Sequence, residues 1–164
     1  MNELLGKISS YNLFNYLFSG VLFVALTAAF TPYSFIQEDV VIGVFVYYFI
    51  GLVVSRLGSL IIEPVLKFFS FVKFTSYSDF VTASKKDPNL DVLSEVNNMY
   101  RTLISVCAIV LLLMLYASLK SRFSWIQGSE TSALLILLFF IFLFAYRKQT
   151  SYITRRIKTN LQNE

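Results

Sequence analysis

Four long apolar runs alternate with polar segments along the chain and predict membrane-spanning helices. A helix that crosses a bilayer needs roughly 20 residues. The first three runs meet this length, whereas the fourth ends at Tyr146 and requires interfacial residues at both of its ends. The second run is interrupted by one charged residue, Arg56. The pattern predicts a single-domain, all-α membrane protein with four transmembrane helices, near residues 13–30, 40–62, 102–119 and 131–147.

The composition supports a membrane environment and argues against catalysis. Only 15% of the residues are charged and 56% are hydrophobic, whereas a soluble domain carries about a quarter charged residues. The chain has no histidine and one cysteine, so it lacks the usual general base near neutral pH and the commonest metal ligand. Cys107 has apolar neighbours in the third run and is predicted to be buried and inert. We therefore expect no catalytic residue, cofactor or metal, and no enzymatic activity.

Basic residues divide unevenly between the polar segments, and such residues accumulate on the cytoplasmic side of a membrane. Two of them, Lys120 and Arg122, lie between the third and fourth runs, and none lies between the first and second. Both termini and residues 63–101 are therefore predicted to be cytoplasmic, which in a bacterium implies the inner membrane. The segments on that side carry eleven basic residues: Lys7, Lys67, Lys73, Lys85, Lys86, Arg101, Arg147, Lys148, Arg155, Arg156 and Lys158.

The first run has a second interpretation, as a cleaved signal peptide. Small residues at Ala25, Ala28 and Ala29 are compatible with cleavage. The segment that precedes the run, residues 1–12, is long and carries Glu3 against a single lysine. These features favour a membrane helix that is retained in the mature protein.

Residues 63–101 are predicted to form a helical cytosolic segment between the second and third spans. The Glu63-Pro64 pair predicts a bend, because proline disfavours helical geometry in the residue before it. The aromatic and basic stretch 65–74 suits either a helix at the membrane interface or an extension of the second helix. After the Asp87-Pro88 turn, helical periodicity begins near Asn89 and continues into the third span.

Charges of both signs flank that turn and predict a docking surface for a cytosolic partner. Lys85 and Lys86 precede the turn, Asp91 and Glu95 follow it, and Arg101 completes the set. Complementary charge sets the register and the association rate of a docked partner. The alternative is that each of these residues is simply solvated.

Small residues recur every fourth position on the second helix, at Gly51, Ser55 and Ser59. This spacing allows two helix backbones to approach closely in lipid, where the hydrophobic effect does not drive helices together. The three residues are therefore predicted to line a helix contact. The contact lies either within one bundle or between the subunits of an oligomer.

Charged residues near the ends of the spans also have alternative interpretations. Glu63 follows Arg56 by two helical turns, about 10 Å along the axis, which is too far for a direct salt bridge. Arg56 either extends its side chain to the interface or has an intramembrane role together with Glu63. The basic tail, residues 148–164, is expected to lie on anionic lipid, and nucleic-acid binding is the alternative.

Two segments carry a resemblance to a known family. Residues 7–23 read KISSYNLFNYLFSGVLF, and residues 93–105 read LSEVNNMYRTLIS. Together with four spans and a cytosolic middle segment, they resemble the KwaA family, the membrane subunit of the bacterial Kiwa anti-phage defence system. The resemblance implies an inner-membrane homo-oligomer, such as a tetramer, that senses infection at the envelope. It also implies a cytosolic partner that resembles KwaB, a DNA-binding effector.

A scaffold or sensor therefore competes with two other classes of function. A small oligomeric channel, transporter or holin-like pore would need polar residues along one shared helix face. Asn15 and Ser19 lie four residues apart on the first helix, but no continuous polar stripe joins them. A membrane enzyme is the third class, and the missing general base argues against it.

Overall fold

A computed structural model describes residues 2–122 and 130–161, and these residues form helices and connecting turns without any strand. The predicted fold class is confirmed, because four helices in this part of the chain are long and apolar enough to cross a membrane. The last residues of the basic tail, 162–164, lie outside the described part. The helices are α1 (Asn2–Phe30), α2 (Val40–Leu57), α3 (Glu63–Phe68), α4 (Tyr77–Lys86), α5 (Asn89–Arg122) and α6 (Glu130–Leu161), with a π-helical turn at Gly58–Ile62.

Side-chain caps define the short connection between α1 and α2. The Thr31 hydroxyl donates to the carbonyl of Thr27 at 2.7 Å, at the end of α1. Asp39 is the N-cap of α2, and its carboxylate accepts a bond from the Ile42 N–H at 2.9 Å. Such a cap satisfies a backbone donor that a helix start otherwise leaves without a partner. The cap places the start of α2 immediately after a nine-residue connection that contains no basic residue.

The core of the bundle is formed by α1, α2 and α5, and α1 packs most closely on α2. Glycine makes this approach possible, since a Cβ atom on Gly20 would overlap the carbonyl of Tyr47, and one on Gly51 would overlap the carbonyl of Tyr16. The buried apolar side chains between the three helices are Phe23, Val24, Val54, Val106 and Val110.

Helix α6 lies at the periphery of this core. Of its side chains that the structure describes, Ile141 is buried, whereas Leu135 and Phe139 are more than 60% exposed. It packs on α2 and on α4. A helix with so little buried surface is held in place mainly by its few specific contacts, and these lie near one end of the bundle.

The second span continues past the predicted bend instead of ending there. Glu63 has helical dihedral angles, φ −60° and ψ −48°, although the residue before a proline usually avoids them. The π-helical turn precedes Pro64, and the Glu63 N–H donates to the carbonyl of Gly58, five residues earlier. This extra residue in the turn accommodates the proline, so the prediction of a bend caused by a non-helical Glu63 is wrong.

Helix α3 ends at Phe68 and is closed by a residue in the left-handed conformation two positions later. Ser70 has φ 57°, its N–H donates to the Lys67 carbonyl, and the Phe71 N–H donates to the Leu66 carbonyl. These two bonds form a Schellman motif, in which a left-handed residue closes a helix. Of the two interpretations of residues 65–74, the structure agrees with an extension of the second helix, and this extension ends at Phe68.

The segment before the third span contains a second short helix. Ser76 caps α4 by accepting a bond from the Asp79 N–H at 3.1 Å, and Val81 is buried where α4 packs against α5 and α6. Helix α5 begins at Asn89, as the periodicity predicts, and runs without interruption for 34 residues. The segment between the second and third spans is therefore helical and packed, and not an extended loop.

Candidate functional site at the basic end of the bundle

A buried carboxylate lies at the end of the bundle that carries most of the basic residues, called here the basic end. Glu63 is only 7% exposed. Three cations among the described residues lie within 4 Å of its carboxylate, and each belongs to a different helix. Glu63, Lys67, Arg101 and Lys148 are called here the Glu63 cluster.

The distances define a central acid with one close partner on its own helix and one on α5. Lys67 Nζ lies 2.7 Å from Glu63 Oε1, one helical turn away along α3. Arg101 Nη1 lies 2.6 Å from the other oxygen, Oε2. Lys148 Nζ lies 3.7 Å from Oε1 and comes from α6. The cluster thus joins α3, α5 and the peripheral helix α6 at a single side chain.

Lys148 also binds the π-helical turn, and the sequence explains why a bond is needed there. In the π register the carbonyl of Ser59 would accept a bond from the N–H of residue 64, but Pro64 has no N–H. Lys148 Nζ donates to this carbonyl at 2.5 Å and to the Ser59 hydroxyl at 2.8 Å. A lysine on α6 therefore satisfies the acceptor that Pro64 leaves free in the π-helical turn.

The cluster carries an excess of positive charge, since one carboxylate faces three cations. The side chains of Arg101 and Lys148 are 19% and 25% exposed, whereas that of Lys67 is 45% exposed. The Nε atom of Arg101 is buried without a hydrogen-bond partner within the described residues. Because removal of one partner from a buried pair leaves an uncompensated charge, Glu63 is the residue on which the whole arrangement depends.

The small residues that recur every fourth position on the second span, Gly51, Ser55 and Ser59, each contact a different helix of the bundle. Gly51 meets the α1 backbone at Tyr16. The Ser55 hydroxyl accepts a bond from the Thr102 hydroxyl on α5 at 3.3 Å, and Ser59 binds Lys148 on α6. The contacts of all three residues are therefore seams within one bundle.

The predicted docking residues divide into two groups. Lys85 and Lys86 are exposed at the end of α4, and Asp91 and Glu95 are partly exposed on the first two turns of α5. Arg101 is instead turned toward Glu63. The position of Arg101 could not be predicted because its partner lies 38 residues away in the sequence.

Arg56 lies beside the Glu63 cluster without joining it. It lines a small crevice together with Ser59, Lys148 and Tyr152, and of these residues Lys148 is the one that pairs with Glu63. The sequence pattern predicts Lys148 only as a determinant of topology and as the first residue of the lipid-facing basic tail. Lys148 stands out in the sequence because it is a basic residue close to the end of the fourth apolar run. The sequence does not indicate that its partner is Glu63.

The remaining chemistry of the described residues is sparse. Cys107 is exposed on the surface of α5, so the prediction of a buried thiol is wrong, although its neighbour Val106 is fully buried. Within residues 2–122 and 130–161, no three histidine, cysteine or acidic residues are grouped so that they could hold a metal ion.

Comparison with known proteins adds no relative. No protein-family model matches the sequence. No curated protein and no solved structure matches the chain. The class that the structure itself defines is an all-α membrane protein with four apolar helices, in which one buried carboxylate joins three helices at the basic end.

Proposed function

We propose that this chain is a non-enzymatic sensor or scaffold subunit of a bacterial inner membrane, and that its output passes through a cytosolic partner. The observation that carries the proposal is the Glu63 cluster, which connects the peripheral helix α6 to α5 through a single side chain. We place the basic end in the cytoplasm, because eleven basic residues lie in its segments against two in the opposite ones.

Helix α5 is long enough to carry a displacement out of the membrane. Its 34 residues extend about 50 Å at 1.5 Å per residue, whereas the hydrocarbon core of a bilayer is about 30 Å thick. The turns from Asn89 to Tyr100 precede Arg101 and extend beyond the cluster. A tilt or rotation of the third span would therefore move Asp91 and Glu95 as part of one rigid element.

Helix α6 is the element best suited to respond to the membrane. Most of its apolar side chains face outward, and Ile141 is its buried one among those described. Lys148 links this helix to Glu63 and to the Ser59 carbonyl. A change in lipid packing that moves α6 would weaken these bonds first, and Glu63 would transmit the change to Arg101 on α5.

The surface formed by Lys85, Lys86, Asp91 and Glu95 is the proposed docking site for the partner. The biological setting rests on the resemblance of residues 7–23 and 93–105 to the KwaA family. In that setting the chain forms a homo-oligomer, such as a tetramer, in an anti-phage defence complex. The partner is then a DNA-binding effector that resembles KwaB.

The docking hypothesis is tested by charge reversal on α5. The double variant Asp91→Lys/Glu95→Lys, co-expressed with a tagged KwaB-like protein, should insert and assemble normally but lose at least 90% of the captured partner. Asp79→Lys is the matched control, because it adds positive charge to the exposed face of α4 without touching these two residues. Undiminished capture by the double variant would contradict the docking site. Ion conductance by the purified wild-type chain alone would favour a pore instead.

A further inference from the structure

A groove of about 700 Å³ runs between the second span and α6. Its size falls within the range of pockets that hold small-molecule ligands, about 300–1,000 Å³. The walls are apolar over most of its length, and both walls belong to helices that are apolar enough to lie in a bilayer. The apolar lining includes Leu57, Leu60 and Ile61 on one wall, and Leu137, Phe140 and Phe144 on the other.

One end of the same groove is basic. Arg147, Lys148 and Arg155 line it, together with the hydroxyl-bearing side chains of Ser151 and Tyr152. These residues continue the face of α6 that carries the apolar wall, since positions three and four apart lie on one side of a helix. The face changes from apolar to basic between Phe144 and Arg147, where the fourth apolar run ends.

We infer that this groove binds an anionic glycerophospholipid, with an acyl chain against the apolar walls and the phosphate among the basic residues at its end. The apolar part lies on the spans, so its occupant comes from the bilayer and not from solution. The basic part adds Arg147 and Arg155 to a cluster in which Glu63 already faces three cations. Basic groups at headgroup level attract anionic lipids over zwitterionic ones.

A second copy of the chain fits the groove less well. Helix α6 is the exposed helix that a second copy would most readily present, and its only acidic residue is Glu130, at its first position. Such a helix cannot place a carboxylate beside Arg147 and Arg155 while its apolar part fills the groove. A phospholipid supplies both the acyl chain and the negative charge. Lipid binding between the second span and α6 does not depend on a cytosolic partner.

Binding is measured on the purified full chain in zwitterionic detergent, with fluorescently labelled phosphatidylglycerol and phosphatidylcholine of the same acyl chains. We expect phosphatidylglycerol to bind at least tenfold more tightly. Each basic group near a headgroup contributes about fivefold in affinity for the anionic lipid. Removing two of them is enough to abolish a tenfold preference, so Arg147→Gln/Arg155→Gln should bind the two lipids about equally. The matched control is Arg156→Gln/Lys158→Gln, which removes the same charge from residues outside the groove lining and should leave the preference unchanged.

A third variant tests the apolar part and separates the other outcomes. Ile61→Trp fills the groove without changing charge, and it should abolish binding of both lipids. Equal binding of the two lipids by the wild-type chain would overturn the inference. An equal loss in the control double variant would also overturn it, because it would show diffuse charge attraction. If Ile61→Trp converts an oligomer to monomers without any loss of lipid binding, the groove holds a second copy and the inference is wrong.

Discussion

Neutralising Glu63 should destabilise the folded chain through the three cations that it leaves behind. The substitution Glu63→Gln keeps the volume of the side chain and removes its charge. The bond from Arg101 at 2.6 Å is charge-assisted and largely buried, and such bonds contribute about 1.5–3 kcal/mol. The pair with Lys67 is 45% exposed on the lysine side and adds about 0.3–0.5 kcal/mol.

Lys148 adds less than Arg101, because its Nζ lies 3.7 Å from the carboxylate and keeps two bonds to Ser59. We therefore expect the free energy of unfolding to fall by about 2–4 kcal/mol in Glu63→Gln. For a chain of 164 residues, a loss of about 3 kcal/mol corresponds to a decrease in Tm of about 6–12 °C.

The assay is thermal unfolding of the purified chain in one detergent, followed by circular dichroism. Glu38→Gln is the matched control, since Glu38 is exposed and its loss should change Tm by less than 1 °C. The double variant Glu63→Gln/Arg101→Gln should recover part of the loss, because it also removes the buried cation. A Tm of Glu63→Gln within 1 °C of the wild type would refute the reasoning.

Three further predictions concern the contact between α1 and α2, the π-helical turn and the end of α3, and each is tested by the same unfolding assay. Gly51→Leu should lower the free energy of unfolding by about 1–3 kcal/mol, the usual cost of overpacking. Gly43→Ala is the control and should be tolerated, because a Cβ atom there lies 3.5 Å from its nearest neighbour. The substitution Pro64→Ala restores a backbone N–H that can bind the Ser59 carbonyl. In that background Lys148→Met should therefore lower the free energy of unfolding by less than it does in the wild type, and equal losses would contradict this explanation. Ser70→Gly should raise stability by about 1 kcal/mol, because the φ of 57° is unfavourable for a side chain, and Ser70→Ala should give no gain.

The architecture could be predicted from the sequence because it depends on local patterns. Uninterrupted apolar runs must form helices in a bilayer, where each backbone donor needs an internal partner. The start of α5 at Asn89 follows from the Asp87-Pro88 turn and the periodicity after it. The small residues from Gly51 to Ser59 indicated a close contact, although the spacing alone could not identify the partner helices.

The Glu63 cluster could not be predicted because its members meet only after the bundle forms. Lys67 follows Glu63 by one turn, but Arg101 lies 38 residues away and Lys148 comes from the last helix. For the same reason the sequence pattern places Arg101 among the docking residues, although its side chain contacts Glu63. At Pro64 a local rule failed, because the π-helical turn keeps Glu63 helical and directs the unpaired Ser59 carbonyl to Lys148.

The most direct test of the central claim is backbone hydrogen exchange of the wild type and Glu63→Gln in lipid nanodiscs, read by mass spectrometry. If Glu63 couples α6 to the projecting part of α5, exchange should rise about tenfold or more in residues 89–100 and in residues 145–152. Both segments lie far from Glu63 in sequence and connect to it through Arg101 and Lys148. A rise confined to residues 58–68, with unchanged exchange on α5 and α6, would contradict the account.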